Sequence, residues 1–242
     1  MDGLPSDGRR RGRSGDWSAP TQRGRRGDGA GHAPPRGGTA DGGNHGLGQD
    51  SRRRSGFRHR DELVYLPPAW FASNPPPGAA GHHDAGGEFG TPRDWPTTGE
   101  ARATADAFAD KHGGNAPILV FVDTSGEFTN DTECVNGPRG NAADHLIKGV
   151  VPYVVAHFGA RPQAAHWGFA GWSAGGTCAL TTTLMHPDMF STFLDIDGQL
   201  GPNAGSKTQT VARLFGSDLD AYLAFDRRRD GPARPYDGVA AW

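Results

Sequence analysis

From residue 118 onward the sequence alternates between apolar stretches of strand length and stretches with the period of an amphipathic helix. The run "ILVFVD" (118–123) is continuously apolar, like strands buried on both faces of a parallel sheet. The run "NAADHLIKGVVPYVVAHFG" (141–159) has apolar residues at helical spacing, and Pro152 predicts a kink in it. Three further segments are predicted as strand, helix and strand: 165–173, 174–186 and 190–198. This alternation predicts an α/β fold with a mostly parallel sheet, flanking helices and right-handed crossovers.

Two more elements are predicted upstream of this region. The run "ELVYL" (62–66) is typical of a short strand, which Pro67 and Pro68 would end. The run "GEARATADAFADKHGG" (99–114) is predicted as a helix that closes at Gly113.

The N-terminal segment has a composition that argues against a packed structure. Residues 1–56 contain neither Val nor Ile, and 13 of the 22 arginines lie within the first 60 residues. Such a segment cannot bury enough apolar surface to offset its chain entropy. We therefore predict that residues 1–57 are disordered and that 58–242 hold the folded domain. The alternative is an Arg/Gly-rich nucleic-acid-binding arm, but the aromatic residues that stack on bases are nearly absent.

The remaining composition excludes several functions. The net charge of −2 favours no nucleic acid partner for the whole chain. No apolar run approaches the ~20 residues of a membrane span, and the N-terminus lacks the apolar core of a signal peptide. No set of His, Cys, Asp and Glu has recognisable ligand spacing, so neither a metal nor a cofactor is expected.

The segment "GFAGWSAGG" (168–176) contains the pattern G-x-S-x-G, formed by Gly171, Trp172, Ser173, Ala174 and Gly175. A strand is predicted before it and a helix after it, which is the context of a nucleophile elbow. The N–H of the residue after the serine would then be one oxyanion donor at the start of the helix. The alternative is a glycine-rich turn that packs a helix against the sheet.

Several segments resemble the putative-esterase branch of the α/β-hydrolases, which includes esterase D-like enzymes and actinobacterial mycolyltransferases. They are "ELVYLPPAWF", "GGEFGTPRDW", "ILVFVDTSG", "NDTECVNGPRG" and the elbow with its following helix and strand, and together they cover roughly residues 58–225. The resemblance implies an α/β-hydrolase fold with Ser173 as the acyl-accepting nucleophile. It implies a second oxyanion N–H from "GGEFG", at Glu88 or Phe89, and a small-molecule or lipid ester as substrate.

The resemblance also bears on the two cysteines. It brings the "NDTEC" loop and the elbow helix to one edge of the sheet, so Cys134 and Cys178 form either a disulfide or a pair of buried thiols. A disulfide would favour the extracytoplasmic or cell-envelope location of the relatives.

The partners that should activate Ser173 are not found where the family has them. In this fold the order is Ser, then Asp or Glu, then His, but no histidine follows His186. Asp195 and Asp197 lie where the family has core and turn positions, and "YDGVAAW" at the end of the chain resembles the start of the strand that carries the acid. We therefore expect an incomplete domain with impaired catalysis. The alternative is a non-catalytic esterase-like relic or binding domain.

A second departure precedes the "GG" of the oxyanion loop. Relatives have an apolar strand there, whereas this chain has "GAAGHHDA" (78–85), and no Val, Ile, Leu or Met occurs between Pro67 and Pro117. We expect a gap or loop in the sheet, and a shifted reading frame in the gene would explain the sequence. His82, His83 and Asp84 are not expected to bind a metal, because adjacent residues of an extended segment point to opposite sides.

Overall fold

The structure is a computed structural model, and it describes residues 38–41, 53–230 and 240–241. The strands are β1 (Gly38–Asp41), β2 (Leu63–Leu66), β3 (Gly81–Ala85), β4 (Ile118–Val122), β5 (Asn136–Gly137), β6 (Gly140–Asn141), β7 (Trp167–Trp172), β8 (Thr192–Ile196) and β9 (Ala240–Ala241). The α-helices are α1 (53–55), α2 (Pro68–Ala72), α3 (Asp94–Thr97), α4 (Ala101–Lys111), α5 (Ala142–Asp144), α6 (Val151–Phe158), α7 (Ala174–Met185), α8 (Lys207–Phe215) and α9 (Leu219–Asp230).

Seven of these strands form one sheet in the order β1-β2-β4-β3-β7-β8-β9. The pairs from β4 to β9 are parallel, and the pairs β1–β2 and β2–β4 are antiparallel. The predicted mostly parallel sheet with flanking helices is therefore confirmed. Strand β9 pairs with the start of β8, where the sequence suggested that a further strand begins. No helix in the described part of the chain is long and apolar enough to span a membrane.

The prediction of a gap before the oxyanion loop is wrong. Residues 81–85 form β3, which pairs in parallel with β4 on one side and with β7 on the other. Backbone N–H and C=O groups make these ladders whatever the side chains are, so a polar strand can occupy a position between two apolar neighbours. Gly81 also lets the ring of Trp167 lie against the strand, because a Cβ there would stand 2.6 Å from that ring.

The polar side chains of β3 leave the strand on opposite faces, as expected for an extended chain. His83 is buried with its ring edge-on to three aromatic rings, those of Trp167, Phe169 and Phe190. His82 is partly exposed, and its Nε2 lies 3.4 Å from Asp84 Oδ1. The three side chains therefore do not converge on one point.

The helix predicted over 141–159 is present but is not uniform. It runs from α5 through a π-helical stretch, His145–Val150, into α6. Pro152 follows this stretch and lacks the N–H that would bond to the carbonyl one turn earlier, so the wider turn occurs where the regular ladder is interrupted. Gly159, with φ 70°, ends α6.

The structure extends into the segment predicted to be disordered. Gly38–Asp41 form β1, and Phe57 is buried just before the predicted start of the domain. Phe57 contacts the ring of His145, so this apolar residue packs even though the residues around it are polar. Residues 1–37 and 42–52, for which disorder was also predicted, lie outside the described residues.

Candidate active site

Ser173 lies between the end of β7 and the start of α7, as the sequence predicts. Its backbone has φ 56° and ψ −123°, a conformation that L-residues rarely adopt. Its N–H donates to the Ile196 carbonyl of the neighbouring strand β8 at 2.8 Å, and its carbonyl accepts from Thr177 in the first turn of α7 at 3.1 Å. A strained serine held at a strand-to-helix turn is the geometry of a nucleophile elbow.

The two glycines of the pattern are required by close packing around the serine. A Cβ on Gly171 would lie 2.0 Å from the carbonyl oxygen of Gly175. A Cβ on Gly175 would lie 2.3 Å from the carbonyl oxygen of Ala85, at the end of β3. The spacing G-x-S-x-G therefore allows the elbow to turn sharply and to pack against the neighbouring strand.

The glycine-rich loop after β3 lies directly beside Ser173. A Cβ on Gly87 would stand 3.2 Å from the Cβ of Ser173 and 3.0 Å from the ring of Trp172. The N–H of Gly90 donates to the Gly87 carbonyl at 2.9 Å, so Glu88 and Phe89 occupy the two central positions of a turn.

Three backbone N–H groups in these two segments, at Glu88, Phe89 and Ala174, are outside the regular backbone hydrogen bonding. In the described part of the chain, the N–H groups of Glu88 and Phe89 have no backbone acceptor. Ala174 is the first residue of α7, so its N–H has no partner within that helix. The helix start adds partial positive charge on the same side.

Three exposed aromatic side chains lie next to the serine or on the neighbouring loops. Trp172 is 43% exposed, Phe89 is 58% exposed and Phe128 is 59% exposed. The rings of Phe89 and Phe128 contact each other with centroids 5.4 Å apart. Trp172 is the last residue of β7, and Phe89 and Phe128 lie in the loops after β3 and β4, so the site has an apolar rim.

The two cysteines form a disulfide between the loop after β4 and the elbow helix, with Cα atoms of Cys134 and Cys178 5.2 Å apart.

Glu133, which precedes Cys134, is buried in a left-handed conformation, φ 48°. Burial and the nearby Asp131 carboxylate raise the pKa of Glu133 to about 9, so this side chain is neutral at pH 7. Glu133 is a hydrogen-bonding partner of Thr177, one turn into α7.

The histidines nearest to Ser173 in sequence lie far from it. His186 caps the C-terminal end of α7, and the twelve residues of that helix span about 18 Å at ~1.5 Å per residue. His166 precedes β7, at the opposite end of that strand from Ser173. In the described part of the chain, neither histidine lies where it can take a proton from Ser173.

Asp195 has a structural role, as its position in the sequence suggested. Its Oδ1 accepts from the N–H of Gly198 at 2.8 Å and lies against Gly176 of α7. Asp197 has φ 58° and lies in the turn that follows β8.

A buried polar network that the sequence did not reveal lies at the same edge of the sheet, beyond β4. Glu62 Oε1 accepts from His145 Nε2 at 2.7 Å and from the N–H of Asp123 at 2.9 Å. Arg60 donates to Asp123 through its backbone N–H, its Nε and its Nη2. Burial opposes ionisation of Asp123, but these bonds outweigh it and lower the pKa of its carboxyl group. Glu62 and His145 are 83 positions apart, so no sequence pattern links them.

A cavity of about 300 Å³ lies on another side of α7, next to α8 and α9. Its lining includes Leu184, Met185, Leu200 and Tyr222, but none of the elbow or oxyanion-loop residues. It is therefore separate from the candidate active site.

Comparison with known sequences gives a family. Residues 58–204 match the family described as "Putative esterase". An uncharacterized protein of Corynebacterium glutamicum is 36% identical over 170 residues, which cover 70% of this chain and 40% of that protein. The match therefore covers about two fifths of the length of this relative.

Comparison with solved structures gives the fold. A fluorophosphonate-binding serine hydrolase of Staphylococcus aureus is 14% identical, with a TM-score of 0.57 over 80% of this chain and 74% of that one. An S-formylglutathione hydrolase from Agrobacterium tumefaciens is 19% identical, with a TM-score of 0.54 over 70% of this chain and 62% of that one. Both similarities are to proteins with the α/β-hydrolase fold, which the resemblance predicted.

Proposed function

The chain belongs to the putative esterase family, and on that premise we propose that it acts on carboxylic esters by acyl transfer through Ser173. The observation that carries the proposal is the strained backbone of Ser173, φ 56° and ψ −123°, at the start of α7 and against the loop after β3. Such backbone strain costs stability, and strained residues of this kind cluster at functional sites.

In the proposed reaction, Ser173 Oγ attacks the carbonyl carbon of the ester and loses its proton to a base. The carbonyl π electrons move to the oxygen, and this oxyanion accepts hydrogen bonds from Ala174 and from Glu88 or Phe89. Collapse of the intermediate breaks the bond to the alkoxy group, which leaves as the alcohol after protonation. Water or a second alcohol then takes the acyl group from the serine.

The exposed rings of Phe89, Phe128 and Trp172 support an ester with an apolar group on the acyl or alcohol side. Contact with such a group would remove apolar surface from water, at about 25 cal/mol per Å². This surface adjoins the place where the ester carbonyl must lie, because a Cβ on Gly87 would contact both the ring of Trp172 and Ser173.

We further propose that Ser173 is weakly activated in this 242-residue chain. The two histidines nearest to Ser173 in sequence are distant, since His166 precedes β7 and His186 lies at the far end of α7. A positioned general base contributes about 10²–10⁴-fold to such a reaction. The alternative, a non-catalytic esterase-like binding domain, is favoured by the same observation.

Labelling with a fluorophosphonate probe distinguishes a weakly activated serine from a non-catalytic binding domain. We expect slow labelling of the chain with the adduct on Ser173, at a rate about 10²–10⁴-fold below that of a serine hydrolase with a complete triad. Mass spectrometry of the labelled peptide identifies the site. Ser173→Ala should abolish labelling, and the matched control Ser191→Ala should not change it.

Two outcomes would contradict parts of the proposal. An absence of any adduct on Ser173 would leave the binding domain as the better interpretation. Fast labelling that His186→Gln or His166→Gln reduces would identify that histidine as the base, and the proposed weak activation would be wrong.

A further inference from the structure

We propose that His59, Glu62 and His145 form a buried binding site for a divalent transition-metal ion, with Zn²⁺ as the preferred ion. All three side chains are buried, and one nitrogen or oxygen atom from each lies within 4.8 Å of the others. Imidazole nitrogens and a carboxylate are ligands that zinc uses in proteins. The site is separate from Ser173 and does not depend on the proposed esterase activity.

The spacing of the ligand atoms fits one ion. His59 Nδ1 lies 3.7 Å from Glu62 Oε2, close to the ~3.4 Å that separates two ligands of a tetrahedral ion with bonds of about 2.1 Å. His145 Nε2 lies 2.7 Å from Glu62 Oε1. That contact is a hydrogen bond in the present arrangement and must lengthen by about 0.7 Å when an ion replaces the proton.

The charge balance of the buried network favours a cation at this point. Glu62 and Asp123 are two buried carboxylates. The Arg60 guanidinium donates hydrogen bonds to Asp123 and not to Glu62. Glu62 Oε2 is buried with no hydrogen-bond partner. A buried carboxylate oxygen without a donor or a cation is costly, so the network has room for one more positive group at this oxygen.

The surroundings supply further features of a metal site. The carbonyl oxygen of Arg60 lies 2.8 Å from His59 Nδ1, so it is close enough to become a fourth ligand when Nδ1 exchanges its hydrogen bond for the ion. The N–H of Asp123 holds Glu62 Oε1 in place, as outer hydrogen bonds hold ligating carboxylates. Phe57 covers the ring of His145 and contributes an apolar wall.

One feature limits the expected affinity. His145 Nδ1 is buried without a hydrogen-bond partner, and ligation through Nε2 would place a hydrogen on it. Loss of such an outer contact typically lowers metal affinity 10–100-fold. We therefore expect binding weaker than in closed structural zinc sites. The ion would join the segment before β2 to the helix that starts at Ala142.

The first experiment uses the unmodified 242-residue chain. After dialysis against a chelator, one equivalent of Zn²⁺ should bind per chain, and saturation should raise the thermal unfolding midpoint by about 5–10 °C at a hundredfold excess over Kd. Co²⁺ in the same site should give the intense visible absorption of a four-coordinate ion. Absence of that band, or no rise in the midpoint, would overturn the proposal without any variant.

Variants then locate the site. Glu62→Gln and His145→Gln should each weaken Co²⁺ and Zn²⁺ binding at least tenfold. His112 is exposed and does not belong to the cluster, so His112→Gln should bind like the unmodified protein. Equal binding by all three variants would assign the metal to other histidines and refute the site. Circular dichroism of each metal-free variant checks that it is folded.

Discussion

Strands β3 and β4 lie side by side in the middle of the sheet, yet their side chains have opposite chemistry. They pair in parallel over five positions, from Gly81 opposite Ile118 to Ala85 opposite Val122. Every residue of β4 is apolar, whereas the middle of β3 is His-His-Asp. At the central position, buried His83 lies opposite buried Val120.

The difference shows that backbone pairing places a strand in the sheet, whereas its side chains decide how much it stabilises the fold. Both strands have their backbone groups paired, so the ladder contributes comparably to each. The side chains contribute unequally to stability. Val120 packs in the main apolar core, whereas both ring nitrogens of His83 are buried without a hydrogen-bond partner. Burial, with smaller contributions from His82 and His145, lowers the pKa of His83 to about 3, so the ring is neutral in the folded protein at pH 7.

The largest expected effect on stability comes from replacing a β4 residue with the histidine that occupies the paired position of β3. Val120→His would place a second unpaired imidazole in the core and overfill a closely packed position. We expect the free energy of unfolding to fall by about 3–5 kcal/mol. Urea denaturation measures it, and Val120→Leu, which changes only the volume, should cost clearly less. Equal costs for the two variants would mean that polarity is not what distinguishes the strands.

The reverse exchange should stabilise the protein. His83→Val removes a buried polar ring that has no hydrogen bond and keeps a β-branched side chain in the strand. We expect a gain of about 1–3 kcal/mol in the free energy of unfolding at pH 7. His112→Leu, at the exposed residue that follows α4, serves as the control and should change the free energy of unfolding by less than about 0.5 kcal/mol. A loss of stability in the β3 variant would show that the aromatic contacts of His83 outweigh its unpaired nitrogens.

The smallest effect is a difference in pH dependence. The unfolded chain protonates His83 near pH 6.5, but the folded protein does so only near pH 3, so the unfolded state binds more protons between these values. Stability from this group is therefore present at pH 7.5 and is lost as the pH falls, by about 1.4 kcal/mol at pH 5.5.

Other groups titrate with the opposite sign in this window. Glu133 has a raised pKa of about 9, so it contributes stability that falls as the pH rises above its unfolded value. The measurement is therefore the difference between the unmodified chain and His83→Val, each unfolded at pH 7.5 and 5.5. An identical pH dependence for the two proteins would contradict the buried, neutral state of His83.

The same contrast explains how much of the fold the sequence predicts. Strand β4, the strand of the elbow and helices α4 and α7 have local patterns that are strong enough to identify them. Strand β3 has no such pattern, because its place depends on pairing with β4 and β7, which are distant in sequence. A side-chain pattern predicts burial, and it fails where polar residues are buried.

The sequence likewise predicts some parts of the candidate site and its surroundings and misses others. The pattern G-x-S-x-G identified Ser173 because the steric demands of an elbow are local: Gly171 and Gly175 are four residues apart and nearly touch. The loop of Glu88 and Phe89 was identified by family resemblance. The pair of Glu62 and His145 was missed, because only the folded chain brings those two positions together.

The disulfide between Cys134 and Cys178 also affects the state in which the protein is not folded. It closes a loop with a sequence separation of 44 residues, and Ser173 lies inside that loop. In the chain-entropy description, a loop of this length removes about 4 kcal/mol of disorder from the unfolded ensemble. The covalent bond thus keeps the segment of Ser173 near the loop after β4 even in a denatured chain. Reducing agents would therefore act on this domain chiefly by restoring conformational freedom to its unfolded chain.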